Sequence, residues 1–152
     1  MEDQKATMRE PQAIQRLGIA FLTWRRYLAS HLVPYGITLK QAFVLRRLER
    51  REYLLPSRIA SMLFCDRPTA TVIVRNMETH GWVRRERDTQ DRRQMRVIIT
   101  DTGRHKLAEI QEHVWEPIES SFDPLGCFDQ SEIEALDDLL ARLVKHLRQL
   151  SE

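Results

Sequence analysis

Two adjacent arginines, Arg92 and Arg93, close a charged tip, Asp88-Thr89-Gln90-Asp91-Arg92-Arg93, that joins two strand-like runs. A guanidinium is planar, permanently charged and forked, so it pairs with phosphate oxygens, with a guanine edge or with a narrow minor groove. The first run is Trp82-Val83-Arg84-Arg85-Glu86-Arg87 and the second is Gln94-Met95-Arg96-Val97-Ile98-Ile99-Thr100. Val, Ile and Thr suit a pleated, half-buried surface, and Asp and Thr suit the turn, so the stretch predicts a β-hairpin with Arg92 and Arg93 outermost. Asp91 is expected to orient these arginines, because a carboxylate facing a phosphate repels it. Arg84, Arg85 and Arg87 stay open between contacts to a polyanion and structural ion pairs.

A second group of polar side chains precedes the hairpin. Asp66 is a good N-cap for a helix from Arg67 to His80, with Gly81 as its C-terminal glycine. On that helix Ala70, Ile73, Val74 and Met77 share one face, while Pro68, Thr71, Val72, Arg75 and Thr79 share the other. The outer face is small, mixed and nearly free of carboxylates, unlike an ordinary solvated face. A shorter helix, from about Pro56 to Phe64, precedes it across the tight turn Phe64-Cys65-Asp66, with Ile59, Ala60 and Leu63 inward. Helix, short turn, helix and hairpin on one basic surface is the arrangement of a winged helix-turn-helix. Thr69, Thr71 and Arg67 become candidate donors to phosphate or base edges. Val72 could meet a thymine methyl, and Arg75 either a guanine or a phosphate.

The remaining elements must position this surface. The apolar stripe Ile14, Leu17, Phe21, Trp24, Leu28, Leu32 predicts a first helix from Pro11 to about Pro34, after a polar, frayed run over residues 1–10. Thr38 with Gln41 is a capping-box pattern for a second helix, with Leu39, Ala42, Phe43, Leu45 and Leu48 inward. Thr100-Asp101-Thr102 caps a helix from about Gly103 to Ser121, which Pro117 should kink or weaken. Asp129 with Glu132 opens a last helix, whose Ile133, Leu136, Leu140, Leu143, Leu147 and Leu150 form a heptad seam that calls for a partner helix. Both terminal helices carry long apolar stripes, so the reading is that they interleave with those of a second chain.

Composition sets the bounds. The 152 residues suffice for a compact domain with its own core. The net charge of +2 hides an asymmetry: residues 1–104 hold 20 Lys and Arg against 11 Asp and Glu, and residues 105–152 hold 4 against 11. One face is thus suited to a polyanion and another is not. Cys65 and Cys127 are far apart and lack companions at metal-ligand spacing, which fits a reducing cytoplasm. There is no signal-peptide pattern and no apolar run approaching the ~18 residues of a membrane span, so a soluble cytoplasmic protein without membrane contact is expected. The sequence has no glycine-rich phosphate loop, nucleophile motif or paired carboxylates, so no enzyme and no cofactor is expected.

The chain resembles the MarR family of winged helix-turn-helix transcriptional regulators over roughly residues 12–150. The residues that carry the resemblance are Ile59-Ala60 and Leu63, Arg67-Pro68-Thr69, and Met77-Glu78 with Gly81-Trp82-Val83. The most specific part is Asp91-Arg92-Arg93 followed by Val97, Ile99-Thr100 and Gly103. The resemblance implies a mostly α (α+β) fold with about six helices and a two-stranded wing. It divides the chain into an N-terminal dimerisation helix (1–36), a DNA-binding lobe (37–101) and C-terminal dimerisation helices (102–152). It further implies a homodimer on a pseudo-palindromic double-stranded operator, a repressor released by a small aromatic or phenolic effector. The implied DNA-binding residues are Arg67, Pro68, Thr69, Thr71, Val72, Arg75, Arg84, Arg92 and Arg93. An effector pocket is expected among Trp24, Tyr27, His31, Tyr35, Phe43, Arg46 and Arg47. Three departures stand out: Val72 where many members carry arginine, Arg75-Asn76 in place of an acidic–basic pair, and Phe64 at a turn position that is often glycine.

Other readings of the same residues remain. Cys65, near a helix N-terminus, could act as a redox switch. His113 with Glu109 or Glu116 could hold a metal. A protein-interaction adaptor that no longer binds DNA is the alternative outside this class.

Overall fold

In the computed structural model, which describes residues 12–89 and 91–150, the periodic apolar stripes become helices at the expected places. Residues 1–10 and the tip residue Gln90 lie outside the described residues. Helix α1 (Gln12–Leu32) ends in a 3-10 turn, Val33–Tyr35, which Gly36 closes in the left-handed region at φ 62°. Helix α2 (Leu39–Glu49) starts with the expected capping box: Gln41 N–H donates to Thr38 Oγ1 at 3.2 Å, and Thr38 N–H donates to Gln41 Oε1 at 2.9 Å. Helix α3 (Pro56–Met62) begins on a proline, whose missing N–H is no loss in a first turn. Helix α4 (Arg67–Thr79) is capped by Asp66, whose carboxylate accepts from Thr69 N–H at 2.8 Å.

The ends of α3 and α4 share one geometry. After α4, Gly81 N–H donates to Glu78 O at 2.9 Å and Trp82 N–H to Met77 O at 3.0 Å, a Schellman motif with Gly81 at φ 72°. After α3, Phe64 N–H donates to Ser61 O at 3.3 Å and Cys65 N–H to Ala60 O at 3.1 Å, the same motif with Phe64 at φ 50°. A residue with a Cβ is disfavoured there by roughly 1–2 kcal/mol. Phe64 is the only non-glycine with positive φ among the described residues.

Strands β1 (Val83–Arg87) and β2 (Met95–Ile99) pair antiparallel in the register Val83↔Ile99 to Arg87↔Met95. Leu54 adds a bridge the sequence did not suggest: it exchanges two hydrogen bonds with Val97, at 2.8 and 2.9 Å. Helix α5 (Asp101–Ile110) is capped by Thr100, and its backbone then widens into a π-helical turn, Gln111–Trp115, before α6 (Glu116–Ser121). The widening sits just before Pro117, which has no N–H to give and whose ring crowds the carbonyl four residues back. The single helix expected over 103–121 is therefore one helical stretch with a π interruption, and the fold is the mostly α, six-helix, two-stranded-wing class.

The core joins Leu32, Val44, Leu45, Leu48, Ile59, Met77, Val97 and Ile110. One inward assignment changes: Phe43 is exposed and Val44 is buried in its place. At 100° per residue, neighbouring positions at the rim of an apolar stripe are separated by tertiary packing rather than by pattern. Contacts divide the chain into two compact units, one through Trp115 and one from Glu116. In the second, α7 (Gln130–Gln149) opens with a reciprocal Asp129–Glu132 capping box and buries none of its residues. No helix among the described residues is long and apolar enough to cross a membrane.

Candidate nucleic-acid interface

The outer face of α4 is built by its own helical period. Ala70, Val74 and Met77 turn into the core, so Arg67, Pro68, Thr69, Thr71, Val72 and Arg75 are left exposed along the opposite side. Val72 keeps 53% of its surface in solvent. The Thr69 N–H groups the Asp66 carboxylate to the helix start, and its hydrogen bonds hold that carboxyl below the usual carboxylate range. Thr71 uses its hydroxyl proton on the Arg67 carbonyl at 2.9 Å, so only its lone pairs face outward. Thr79 does the same with the Arg75 carbonyl at 3.1 Å. Arg67 and Arg75 form no ion pair among the described residues.

The wing is held by a buried ion pair that local spacing did not reveal. Asp88 is 8% exposed, and its Oδ2 accepts from Arg96 Nε at 2.7 Å. The Arg96 guanidinium also lies 4.2 Å from the centre of the Tyr53 ring. The hydrogen bond to Asp88 is the main reason the Arg96 pKa is raised. The other Asp88 oxygen accepts from Asp91 N–H at 3.2 Å. Asp91 in turn accepts from Arg93 N–H at 3.0 Å and from Gln94 Nε2 at 3.1 Å. Asp91 therefore orders the tip through the backbone, as a turn former, and leaves the Arg92 and Arg93 guanidiniums exposed without ion pairs among the described residues.

The three arginines of β1 separate. Arg85 bonds Glu78 of α4 at 2.7 and 2.9 Å, which ties the wing to that helix and lowers the Glu78 pKa. Arg84 meets Glu86 at 3.0 Å with both side chains about half exposed, 51% and 49%. Arg87 forms no ion pair among the described residues. The base of the wing is fixed by Thr100, whose hydroxyl donates to Gly81 O and accepts from Gly103 N–H at 3.1 Å.

The residues expected to line an effector pocket fall in three places. Trp24, Tyr27 and His31 form a ladder along α1, with ring centres 5.4 and 4.5 Å apart. Tyr35 stacks on His113 at 6.3 Å. Phe43, Arg46 and Arg47 line a cleft of about 270 Å³ together with Arg50, Met62 and Leu63. These five partners of Phe43 come from the C-terminal ends and caps of α2 and α3. Glu109 is paired with Lys106 at 2.7 Å, and no group of three or more metal-ligating side chains occurs among the described residues. Cys65 is partly buried and Cys127 exposed, both as free thiols.

A model of the MarR family matches residues 37–95, the segment from α2 into the wing. The chain is 34% identical over 116 residues to the HTH-type transcriptional regulator PecS of Dickeya dadantii, a match covering 74% of this chain and 68% of that protein. It is 40% identical over 75 residues to the HTH-type transcriptional regulator TtmR of Methylorubrum extorquens, covering 49% of this chain and 38% of that one. Among solved structures, AbsC of Streptomyces coelicolor, a MarR family transcriptional regulator, superposes with a TM-score of 0.81 at 21% identity, over 97% of this chain and 99% of the other. A mutant MarR from E. coli complexed with operator DNA superposes with a TM-score of 0.77 at 20% identity, over 88% and 94% of the two chains. At such identities these two superpositions establish the fold.

Proposed function

Because this chain belongs to the MarR family of transcriptional regulators, we propose that it is a dimeric repressor that binds a pseudo-palindromic operator through α4 and the wing. The observation that carries the reading is the exposed outer face of α4, continued by the guanidiniums of Arg92 and Arg93, which form no ion pair among the described residues. The α4 side chains supply apolar and hydrogen-bonding contacts to base edges in a major groove, and the wing arginines supply charge toward a minor groove. Arg67 and Thr69 stand at the positive end of the α4 dipole, where a phosphate is favoured.

The dimer is the second part of the proposal. On α7, Leu139 (58%), Val144 (47%), Leu147 (45%) and Leu150 (73%) are exposed, and on α1 so are Ile19 (65%), Phe21 (60%) and Leu22 (54%). Apolar stripes of this length lie exposed in the single chain, and a second copy would bury them. Two copies related by a two-fold axis would read half-sites about 10 bp apart. For the effector, the cleft at Phe43, Arg46 and Arg47 offers an apolar wall and cationic anchors and is sized for a single-ring molecule. Such a ligand would release DNA only by binding the DNA-incompetent state more tightly.

The test is selection of a random duplex library by the purified protein, followed by salt titration of the enriched sequence. An inverted repeat with half-sites about 10 bp apart is expected, together with an affinity that falls steeply with salt. Arg92→Ala should weaken binding and lower the salt slope by about one unit. No enriched sequence, with only weak binding at low salt, would overturn the reading.

A further inference from the structure

We propose that Phe64 is a specificity-determining residue of the DNA complex, its ring packing on the 5-methyl group of an operator thymine. The inference rests on the DNA-binding reading above and adds a contact from outside the recognition helix and wing.

Two features of Phe64 are each unfavourable within the free chain. The first is its backbone. The bonds from Phe64 N–H to Ser61 O and from Cys65 N–H to Ala60 O impose the left-handed conformation, φ 50°, whatever residue stands there. At the matching place after α4 the chain uses Gly81, which adopts that conformation without a Cβ to clash. The second is its ring. Phe64 is 90% exposed, more than any other large apolar residue described, the next being Val33 and Leu150 at 73%. A phenyl ring this exposed contributes nothing to the core, so neither packing nor local conformation accounts for a phenylalanine here. Strain at an exposed position points to an interaction made outside the chain.

The place of the turn identifies the partner. Phe64 is three residues before Arg67, so its Cα lies within about 11 Å of the first residue of α4. Arg67, Pro68 and Thr69 of α4, just after the same turn, are exposed as well. The one carboxylate in the turn, Asp66, is engaged by Thr69 N–H at 2.8 Å. An exposed ring close to the Arg67 side chain and a helix N-terminus fits an anionic surface that also offers apolar groups. A DNA major groove offers both, and its apolar group is the thymine methyl.

The test uses the full-length protein and the operator enriched by selection. Phe64→Gly removes the ring and the strain together, so it should raise the melting temperature while weakening operator binding about tenfold. Opposite signs for stability and affinity exclude a folding defect as the cause. Each operator thymine is then replaced singly by deoxyuridine, which lacks the methyl group. Wild type should lose affinity roughly threefold to tenfold at one position in each half-site, and Phe64→Gly should be indifferent at that position. Equal operator affinities of wild type and Phe64→Gly would overturn the proposal and move the ring to a protein contact. The same follows if both proteins respond alike to every methyl deletion. Failure of wild type to bind any duplex would overturn this inference with the reading beneath it, whereas wild-type binding with an inert Phe64 overturns the inference alone.

Discussion

Gly103→Ala sets two effects of opposite sign against each other. Gly103 lies in the first turn of α5, and alanine is favoured over glycine in a helix by about 1 kcal/mol. If propensity governed, the substitution would stabilise the protein. A Cβ at this position, however, would stand 2.0 Å from the Trp82 carbonyl oxygen and 2.9 Å from Ile99 Cγ1. Relief requires α5 to back away from the strand by roughly 1 Å or more, well beyond what close-packed interiors absorb. Trp82 O also accepts from Thr100 N–H at 3.0 Å, so the same movement loosens the bond that seats the helix on the wing. Overpacking costs about 1–3 kcal/mol and a weakened buried hydrogen bond about 1–3 kcal/mol more. After the propensity gain is subtracted, a net destabilisation of about 1–5 kcal/mol is expected, against a domain stability of about 5–15 kcal/mol. Urea unfolding followed by far-ultraviolet circular dichroism should show a lower midpoint at unchanged slope. A midpoint at or above that of wild type would refute the steric account.

Three further outcomes are expected. Hydrogen bonds from Thr69 lower the Asp66 carboxyl pKa, as those from Ser131 and Glu132 lower that of Asp129. Groups depressed on folding contribute stability that is present above the unfolded carboxylate value, about 3.9, and is lost as pH falls through the folded values. Stability should thus decline below about pH 4, and Asp66→Asn, which keeps the cap without titrating, should flatten that decline; an unchanged pH profile would contradict the assignment. Asp88→Ala should deprive Arg96 of its hydrogen-bonded carboxylate and raise amide exchange across residues 88–94 by about tenfold, measured by mass spectrometry, and unaltered exchange would show that the ion pair does not hold the wing. Leu143→Glu puts a charge in the α7 seam and should convert dimers to monomers in sedimentation equilibrium, so an unchanged mass would remove α7 from the interface.

What could be read in advance was local. The capping boxes at Thr38–Gln41 and Asp129–Glu132 and the glycine after α4 are relations between residues three apart, and all occur as read. The hairpin and the outer face of α4 follow from periods of two and 3.6 residues. Relations set by tertiary placement escaped. Nothing in a short run marks Leu54 as a bridge partner of Val97. Asp88 and Arg96 are eight residues apart and meet only once the hairpin register is known. The exchange of Phe43 for Val44 in the core is a one-residue rotation at the edge of a stripe, and it places Phe43 on the wall of the arginine-lined cleft. Pro117 announced a disturbance, but a π turn rather than a bend depends on how the backbone around it packs.

The same limit applies to charge. Sequence treats the arginines of the wing alike, whereas their partners rank them. A phosphate must compete with whatever the guanidinium already holds. Arg92 and Arg93 hold no carboxylate among the described residues, so their full charge is available. Arg84 holds Glu86 with both side chains about half in water, and an exposed pair of this kind is worth about 0–1 kcal/mol, little enough for a phosphate to displace. Arg85 makes two contacts to Glu78, with both side chains about one-third exposed, and exchanging them would untie the wing from α4. Arg96 is the most enclosed of the set, its side chain 19% exposed and that of Asp88 10%, and withdrawing it would take the ion-pair partner from a buried carboxylate. Alanine at Arg92 or Arg93 should therefore reduce the salt slope of operator binding by about one unit each, and at Arg84 by less than that. At Arg96 the loss should appear as a disordered wing, with lower affinity at every salt concentration and little change of slope. A full unit of slope lost at Arg96, with the wing still ordered, would mean that DNA draws this arginine away from Asp88 and that partners in the free protein do not predict which arginines meet phosphate.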